Sequence, residues 1–332
     1  MARMENTRTD QQTTPAAPAA NRETEGGVVL GTMYYGTLVE PARAFALLDQ
    51  FVEAGGVWLD TANCYSFWTD PAGVGGASER VLGQWLRANP GVRDVVRIAT
   101  KVRQDPLVPH VWPESAEGLS AAAIERGVAG SLERLGVDHV DLLWAHAEDR
   151  AVPLDETVEA FGELVERGVT RRVGAANHAS WRVERARTIA TSRGLEPWSA
   201  LQLRHSLAQP RPGACLPDQG HRLLTPDDLD LARDAEMNVW AYTPLVQGAY
   251  TRADKPFPDA YDHPGTARIL EALDVVSHDV GATPHQVVLA WLLHQGIAPI
   301  VGVSQPEQLT EALGARSLIL DDAHVASFEE AR

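Results

Sequence analysis

Short apolar runs alternate with longer amphipathic segments from about residue 27 to the end of the chain. The apolar runs contain many β-branched residues and have the length of single strands. They predict eight strands, at Val28–Thr32, Val57–Thr61, Val96–Lys101, Val140–His146, Arg171–Ala175, Ala200–Leu203, Asn238–Tyr242 and Pro299–Val303.

The amphipathic segments between these runs have helical start and stop signals. Ser, Pro or Asp stands at most of their first positions, and Gly136 and Gly168 follow the ends of two of them. They predict helices at Pro41–Ala54, Ser78–Ala88, Ser120–Leu135, Asp155–Arg167, Ser180–Ser192, Pro226–Ala235, Pro284–His294 and Pro306–Leu313.

This alternation implies parallel strands joined by right-handed crossovers. A doubly wound dinucleotide-binding sheet would also alternate, but it needs G-x-G-x-x-G between its first strand and first helix. The corresponding stretch here reads GTMYYGTLVEP and does not fit. The pattern therefore favours an α/β fold of the (β/α)₈ TIM-barrel type, a single domain over residues 27–332.

Composition narrows the classes of partner and compartment. The net charge of −16 disfavours nucleic acids and anionic membrane surfaces as partners. The chain has no apolar stretch of about 18 residues, so no membrane span is expected. Residues 1–26 are polar and rich in Thr, Pro and Ala, without the apolar core of a secretory signal, and are predicted to be a disordered tail.

The two cysteines, Cys64 and Cys215, do not have metal-binding spacing. No metal is therefore expected, and no disulfide framework is indicated. With the missing secretory signal, this predicts a location in the reducing cytoplasm.

Polar residues cluster at the predicted carboxyl ends of strands, where barrel enzymes carry their chemistry. The set comprises Asp60, Lys101, His146, Asn177 and Gln202, with Tyr65 in the loop after the second strand. Lys101 stands out because the basic residues of this chain are otherwise Arg, apart from Lys255.

These groups together suit proton transfer to a carbonyl oxygen. A free phenol has a pKa of about 10, and a nearby ammonium stabilises the phenolate. Lys101 could supply that ammonium to Tyr65, Asp60 could anchor it, and His146 could donate to the substrate oxygen. Taken singly, each residue also fits a loop, capping or packing role.

Loops at residues 66–77, 104–118 and 205–225 are long enough to wall a pocket over the barrel mouth, although simple exposed loops would look the same. Their aromatic residues suit an aromatic aldehyde or ketone, or a keto-sugar whose ring stacks on them. The candidate wall residues are Tyr35, Phe67, Trp68 and Trp112.

In order and spacing, the motifs of the chain resemble those of the aldo-keto reductases from about Val28 to Leu313. LDTANCY at 59–65 is similar to the family's DTAxxY, and ASERVLGQWL follows it as G-x-SE-x-x-LG does there. IATKV at 98–102 is similar to the strand that carries the catalytic lysine. Further similar segments are SLERLGVDHVDLLWAHAED, VGAANH, LQLRHSL, AYTPLVQG and IVGVSQPEQLTEAL.

The resemblance implies an NAD(P)H-dependent carbonyl reductase. Tyr65 would be the general acid, Lys101 and Asp60 would lower its pKa, and His146 would orient the carbonyl. The expected cofactor-binding residues are Asn177 and Gln202 at the carboxamide, Tyr242 stacked on the nicotinamide, the backbone of Thr243, Leu245 and Gln247 at the pyrophosphate, and Gly302, Ser304 and Gln308 at the adenosine ribose.

Departures from the family pattern affect the cofactor and the pocket rim. Gln305 and Gln308 stand where the family often has Lys or Arg, which weakens the preference for a 2′-phosphate. Ser304 can donate one hydrogen bond there, and Arg316 is a candidate cation. NADPH remains favoured, with NADH as the competitor. Ser66 replaces a common Gly, His205 a common Tyr and Ala312 a common Asn.

Two other functions compete with a reductase acting on a small-molecule carbonyl. A non-catalytic nucleotide-binding subunit that senses redox state would keep the same fold. A metal-dependent barrel hydrolase or isomerase would need an H-x-H pair at a strand end or a cluster of carboxylates, and the sequence contains no H-x-H pair. The sequence does not predict an oligomeric state.

Overall fold

The structure, a computed structural model, describes residues 27–214 and 220–332. The predicted disordered tail at residues 1–26 and Cys215 lie outside the described residues. Eight parallel strands follow one another around a closed barrel, and the last pairs with the first. They are β1 Val29–Gly31, β2 Trp58–Asp60, β3 Arg97–Val102, β4 Leu142–Ala145, β5 Val173–Ala176, β6 Ala200–Arg204, β7 Asn238–Tyr242 and β8 Ile297–Gly302. The predicted (β/α)₈ barrel is confirmed.

Eleven α-helices lie within the described residues, mostly around the outside of the barrel. They are α1 Pro41–Glu53, α2 Ala77–Ala88, α3 Val92–Val95, α4 Ala121–Leu135, α5 Leu154–Glu166, α6 Ser180–Ser192, α7 Pro226–Asp234, α8 Pro264–Val280, α9 Pro284–His294, α10 Pro306–Gly314 and α11 Asp322–Ala331. No helix in this part of the chain is both long and apolar enough to cross a membrane.

Two long helices, α8 and α11, were not predicted, and they pack against each other. The His324 ring of α11 lies 2.9 Å from the Asp279 carboxylate of α8. Arg268 of α8 donates to the carbonyl oxygen of Ala331, at 3.2 Å. They are additional to the eight predicted helices. Helix α8 lies with α9 in the connection between β7 and β8, and α11 follows α10 at the end of the chain.

Tryptophan rings fill part of the barrel interior. Trp240 meets Trp58 and Trp144 nearly edge to face, with ring centroids 5.1 and 5.3 Å away. Gly174 on β5 makes room for them, since a Cβ there would lie 2.4 Å from the Trp144 ring. The interior at this level is therefore packed and offers no channel.

The residues of the ASERVLG segment tie α2 to the strand ends. The Ser78 hydroxyl lies 2.8 Å from those of both Thr32 and Thr61, the residues that follow β1 and β2. Buried Glu79 pairs with Arg134 of α4 at 2.7 Å. These contacts hold the end of β2, and with it Asp60, in a fixed position.

Candidate active site

Lys101 is the centre of the group at the carboxyl end of the barrel. Its side chain is fully buried on β3. The ammonium nitrogen donates to Tyr65 Oη at 2.6 Å, to Asp60 Oδ2 at 2.6 Å and to the Thr61 carbonyl at 2.8 Å. A lysine ammonium has three N–H donors, and all three have acceptors here. The structure therefore brings together the predicted Asp60, Tyr65 and Lys101.

His146 lies next to this group, one residue after β4. Its ring meets the Tyr65 ring edge to face, with centroids 5.9 Å apart. Its Nδ1 lies 3.6 Å from the thiol sulfur of Cys64. Sequence reasoning considered Cys64 only as a possible metal or disulfide residue. Its position directly before Tyr65 was the available signal that it borders the site.

The pKa of Tyr65 departs from expectation. Burial raises the pKa of the phenol well above its ordinary value, and the negative Asp60 carboxylate raises it further. This direction is opposite to the lowering expected from Lys101 and Asp60, because burial favours the neutral phenol and the Asp60 carboxylate disfavours a phenolate beside it. The phenol keeps its proton at neutral pH, which is the form a proton donor needs.

Burial also sets the charge states of the neighbouring groups. Burial raises the pKa of Asp60 and lowers that of Lys101, while the attraction between the two opposes both shifts. Burial lowers the pKa of His146 well below its ordinary value, and the Lys101 ammonium lowers it further. His146 is therefore a neutral imidazole at neutral pH. Its single N–H proton is on either Nδ1 or Nε2.

The two amides predicted for the cofactor both lie at the mouth and contact this group. Gln202 donates to Asp60 Oδ1 at 3.1 Å. Asn177 donates to the carbonyl of His146 at 3.2 Å, and its oxygen accepts from Tyr242 Oη at 2.6 Å and from the Arg222 backbone N–H at 3.1 Å. Asn177 thus fixes the position of the Tyr242 ring.

The segment after β7 has unusual backbone geometry. Thr243, Val246 and Gln247 adopt left-handed φ angles of 55°, 45° and 59°. Such angles turn peptide groups out of the strand direction. Nearby, β8 ends at the exposed Gly302, where an added Cβ would meet no atom within 4 Å. A nicotinamide dinucleotide could be held here. The groups available to it are the two amides, the Tyr242 ring, the turned backbone and this open glycine.

Two of the residues predicted to contact the adenosine ribose are hydrogen-bonded to each other, and one of them also to Gln305. The Gln308 side-chain oxygen accepts from the Ser304 and Gln305 backbone N–H groups, at 2.9 and 3.1 Å. Arg316, the candidate cation, donates instead to the carbonyl of Ala54 at the end of α1. The cation proposed for a 2′-phosphate is thus engaged elsewhere.

An aromatic wall, formed by Phe67, Trp68 and Trp112, lies on the loops of residues 66–77 and 104–118. The Phe67 ring lies 5.0 Å from Trp68 and 6.0 Å from Trp112. Tyr35 is not part of this wall: the turn between β1 and α1 buries its side chain completely in the core. Tyr34 meets the Trp68 ring instead, at 6.4 Å.

Two half-buried acids that were not predicted anchor these loops. Asp105 accepts from the Gly75 N–H at 2.9 Å and joins the two loops. Glu117 accepts from the Asn63 side chain and from the Arg103 N–H, both at 2.6 Å. Acids in loops are common, so only tertiary contacts reveal this role. The wall is therefore fixed to the strand ends.

Comparison with known proteins identifies the family. A model of the Aldo/keto reductase family matches residues 27–332. The chain belongs to the aldo/keto reductase family. It is 32% identical over 305 residues to the uncharacterized oxidoreductase YrpG of Bacillus subtilis (strain 168), which covers 88% of this chain and 87% of that protein.

Two fungal proteins are also similar to this aldo/keto reductase. The aryl-alcohol dehydrogenase GME11368 of Pestalotiopsis microspora is 28% identical over 318 residues, 92% of this chain and 77% of its own. The norsolorinic acid reductase stcV of Emericella nidulans is 27% identical over 317 residues, 91% of this chain and 76% of its own. Family and relatives together make this chain an oxidoreductase of the carbonyl-reducing type.

Proposed function

We propose that this aldo/keto reductase reduces an aldehyde or ketone to an alcohol with NAD(P)H, and that Tyr65 is the general acid. The observation that carries the proposal is the Lys101 ammonium, 2.6 Å from both the Tyr65 phenol and the Asp60 carboxylate. A buried ammonium between a phenol and a carboxylate stabilises negative charge on the phenol oxygen as its proton leaves.

In this mechanism the side chains transfer one proton to the carbonyl oxygen. A nicotinamide held by the cofactor residues named below would supply hydride for the carbonyl carbon. The Tyr65 O–H bond breaks as the carbonyl oxygen gains that proton, and Lys101 N–H bonds strengthen toward the phenolate oxygen. Asp60 keeps the ammonium charged and in place. Neutral His146 orients the carbonyl oxygen beside Tyr65.

NADPH is the proposed cofactor, and NADH is the competing candidate. Family resemblance favours NADPH. Gln305, Gln308 and the turned-away Arg316 favour NADH, because a 2′-phosphate is bound best by cations. The cofactor would contact Asn177, Gln202, Tyr242, the backbone of Thr243, Leu245 and Gln247, and then Gly302, Ser304 and Gln308.

An aromatic carbonyl is the proposed substrate class. The aromatic wall presents ring faces and edges, and Trp68 is 48% exposed, so a flat apolar substrate can stack against it. The name of the aryl-alcohol dehydrogenase is consistent with this class, and that of the norsolorinic acid reductase is consistent with reduction. A keto-sugar, which also stacks on aromatic rings, is the competing substrate.

The cytoplasm stays the predicted location.

Nucleotide oxidation on a panel of carbonyls, compared between the native protein and Tyr65→Phe, tests the proposal. We expect turnover of aromatic aldehydes or ketones by the native protein, and its loss in Tyr65→Phe with cofactor affinity nearly unchanged. Phe keeps the ring packing but has no proton to give. Turnover retained in Tyr65→Phe would remove Tyr65 from its role. Nucleotide binding without turnover of any carbonyl would favour the regulatory subunit.

A further inference from the structure

Cys64 contacts His146, whose tautomer the proposed mechanism does not define. Its side chain is buried, with 3% exposed, and its sulfur lies 3.6 Å from His146 Nδ1. This is within reach of a hydrogen bond to sulfur. A neutral imidazole has one N–H donor and one bare nitrogen, and the contact made by one nitrogen decides which is which.

The protonation states of the two groups leave one arrangement favoured. Burial raises the pKa of the Cys64 thiol, and the Asp105 and Glu117 carboxylates raise it further, so the sulfur keeps its hydrogen. His146 is neutral for the reasons given above. A bare imidazole nitrogen accepts hydrogen bonds well, whereas sulfur accepts them weakly. The S–H group is therefore the better donor for this contact.

The backbone of His146 is already fixed by other contacts. Its N–H donates to the Val102 carbonyl at 3.1 Å, and its carbonyl accepts from Asn177 at 3.2 Å. Neither contact selects the ring nitrogen that carries the proton. That choice is left to groups touching the ring, and Cys64 touches Nδ1.

We propose that Cys64 is a positioning residue for carbonyl reduction: its thiol donates to Nδ1 of His146 and so places the imidazole proton on Nε2. The Nε2–H group then donates to the carbonyl oxygen beside Tyr65. The bare-Nε2 form would repel that oxygen instead, lone pair against lone pair. This inference deepens the proposed function and depends on it for the substrate contact, but not for the tautomer.

The tautomer is measured directly by ¹⁵N NMR of the histidine rings in the labelled full chain. Comparison with His146→Gln assigns the His146 signals among those of the eleven histidines. We expect a protonated Nε2 and a bare Nδ1 at neutral pH. A protonated Nδ1 would overturn the proposal, whether or not the protein reduces any carbonyl. Absence of turnover with the expected tautomer would instead count against the proposed function.

The matched variants Cys64→Ala and Cys64→Ser separate hydrogen bonding from packing, because Ser keeps a donor of nearly the same size. In Cys64→Ala we expect His146 signals shifted toward a mixture of tautomers. We also expect kcat to be about 3- to 10-fold lower, the effect of one lost hydrogen bond, with cofactor KM little changed.

Cys64→Ser should restore most of the native kcat and the Nε2–H signals. An unchanged tautomer in Cys64→Ala, or equal kcat losses in the Ala and Ser variants, would show that Cys64 only packs there. If Cys64→Ala does not fold, the native spectrum and Cys64→Ser still decide the question.

Discussion

Single residues at the proposed ribose end of the mouth are expected to set the nucleotide preference. Gln308 occupies the first turn of α10 and uses its side-chain oxygen to accept from backbone N–H groups. It is exposed and uncharged, so it contributes hydrogen bonds but no attraction to a phosphate dianion. Replacing one such residue with a cation therefore tests both the assigned location and the cofactor preference.

Gln308→Arg is expected to lower the apparent KM for NADPH by about 3- to 10-fold and to change that for NADH little, because the new guanidinium would pair with an exposed, screened phosphate. Steady-state kinetics with both nucleotides measures this. Gln295→Arg makes the same substitution at an exposed residue before β8, at the opposite end of the barrel, and should alter neither value. An equal change for NADPH and NADH would contradict the assigned 2′ location.

The proposed catalytic residues show how far sequence reasoning reaches at this scale. Lys101 was predictable because the chain otherwise uses Arg apart from Lys255, and Asp60 and Tyr65 were predictable because both lie in the LDTANCY motif. The direction of the Tyr65 pKa was not predictable, because it depends on how much of the ring loses water in the folded barrel. For the same reason the core position of Tyr35 was missed, since the turn that directs it inward is tertiary.

At the scale of elements, the alternation of strands and helices was the most predictable part, and one strand and two helices match residue for residue. Asn238–Tyr242, Ser180–Ser192 and Pro284–His294 have the predicted bounds. The periodic pattern does not reveal how a long loop is held, since backbone N–H groups supply the partners. The loop of residues 104–118 is such a case, because Glu117 binds the N–H of Arg103 and the side chain of Asn63.

Glu117 should make stability depend on pH. Burial raises its pKa in the folded chain, so the folded state binds more protons than the unfolded state between the two pKa values. Its stabilising contribution is complete below the ordinary pKa of a glutamate and is lost as pH rises through the raised value. Glu117→Gln keeps an acceptor but cannot ionise. Urea denaturation from pH 4 to 8 should show a smaller decline in the free energy of unfolding than in the native protein.

Glu114→Gln is the matched control, since Glu114 is exposed on the same loop. Its pH dependence should follow that of the native protein. Glu117→Ala, which removes both hydrogen bonds, should lower the free energy of unfolding by about 1–3 kcal/mol and speed hydrogen exchange across residues 104–118. An identical pH dependence in the native protein and Glu117→Gln would show that this carboxyl group is not the source.

For the whole molecule, the two ends of the barrel have separate tasks. The proposed proton-transfer group lies at the carboxyl ends of the strands. At the other end, Asp141 is buried just before β4 and accepts from the Ile98 N–H at 2.9 Å. It also pairs with Arg93 at 2.9 Å and lies 3.4 and 3.7 Å from Arg171 and Arg97. Tryptophan rings fill barrel interior between the two ends, so chemistry and stability can be changed independently.

Asp141→Asn should therefore destabilise the protein without slowing it. The variant leaves three arginines without their shared carboxylate, and we expect the free energy of unfolding to fall by about 1–3 kcal/mol, a range reduced for the partial exposure of the arginines. The kcat per folded molecule should be unchanged, because the hydrogen-bond and ion-pair partners of Asp141 given above, within the described residues, are not site residues. Asp138→Asn, at a side chain 94% exposed near the same end, should change neither quantity. Tyr65→Phe should show the reverse emphasis: turnover per folded molecule is lost, whereas the free energy of unfolding falls only by the cost of one unmet Lys101 hydrogen bond, about 1–3 kcal/mol. A parallel loss of kcat in Asp141→Asn would mean that the packed interior transmits strain to the mouth, and the two ends would then not be independent.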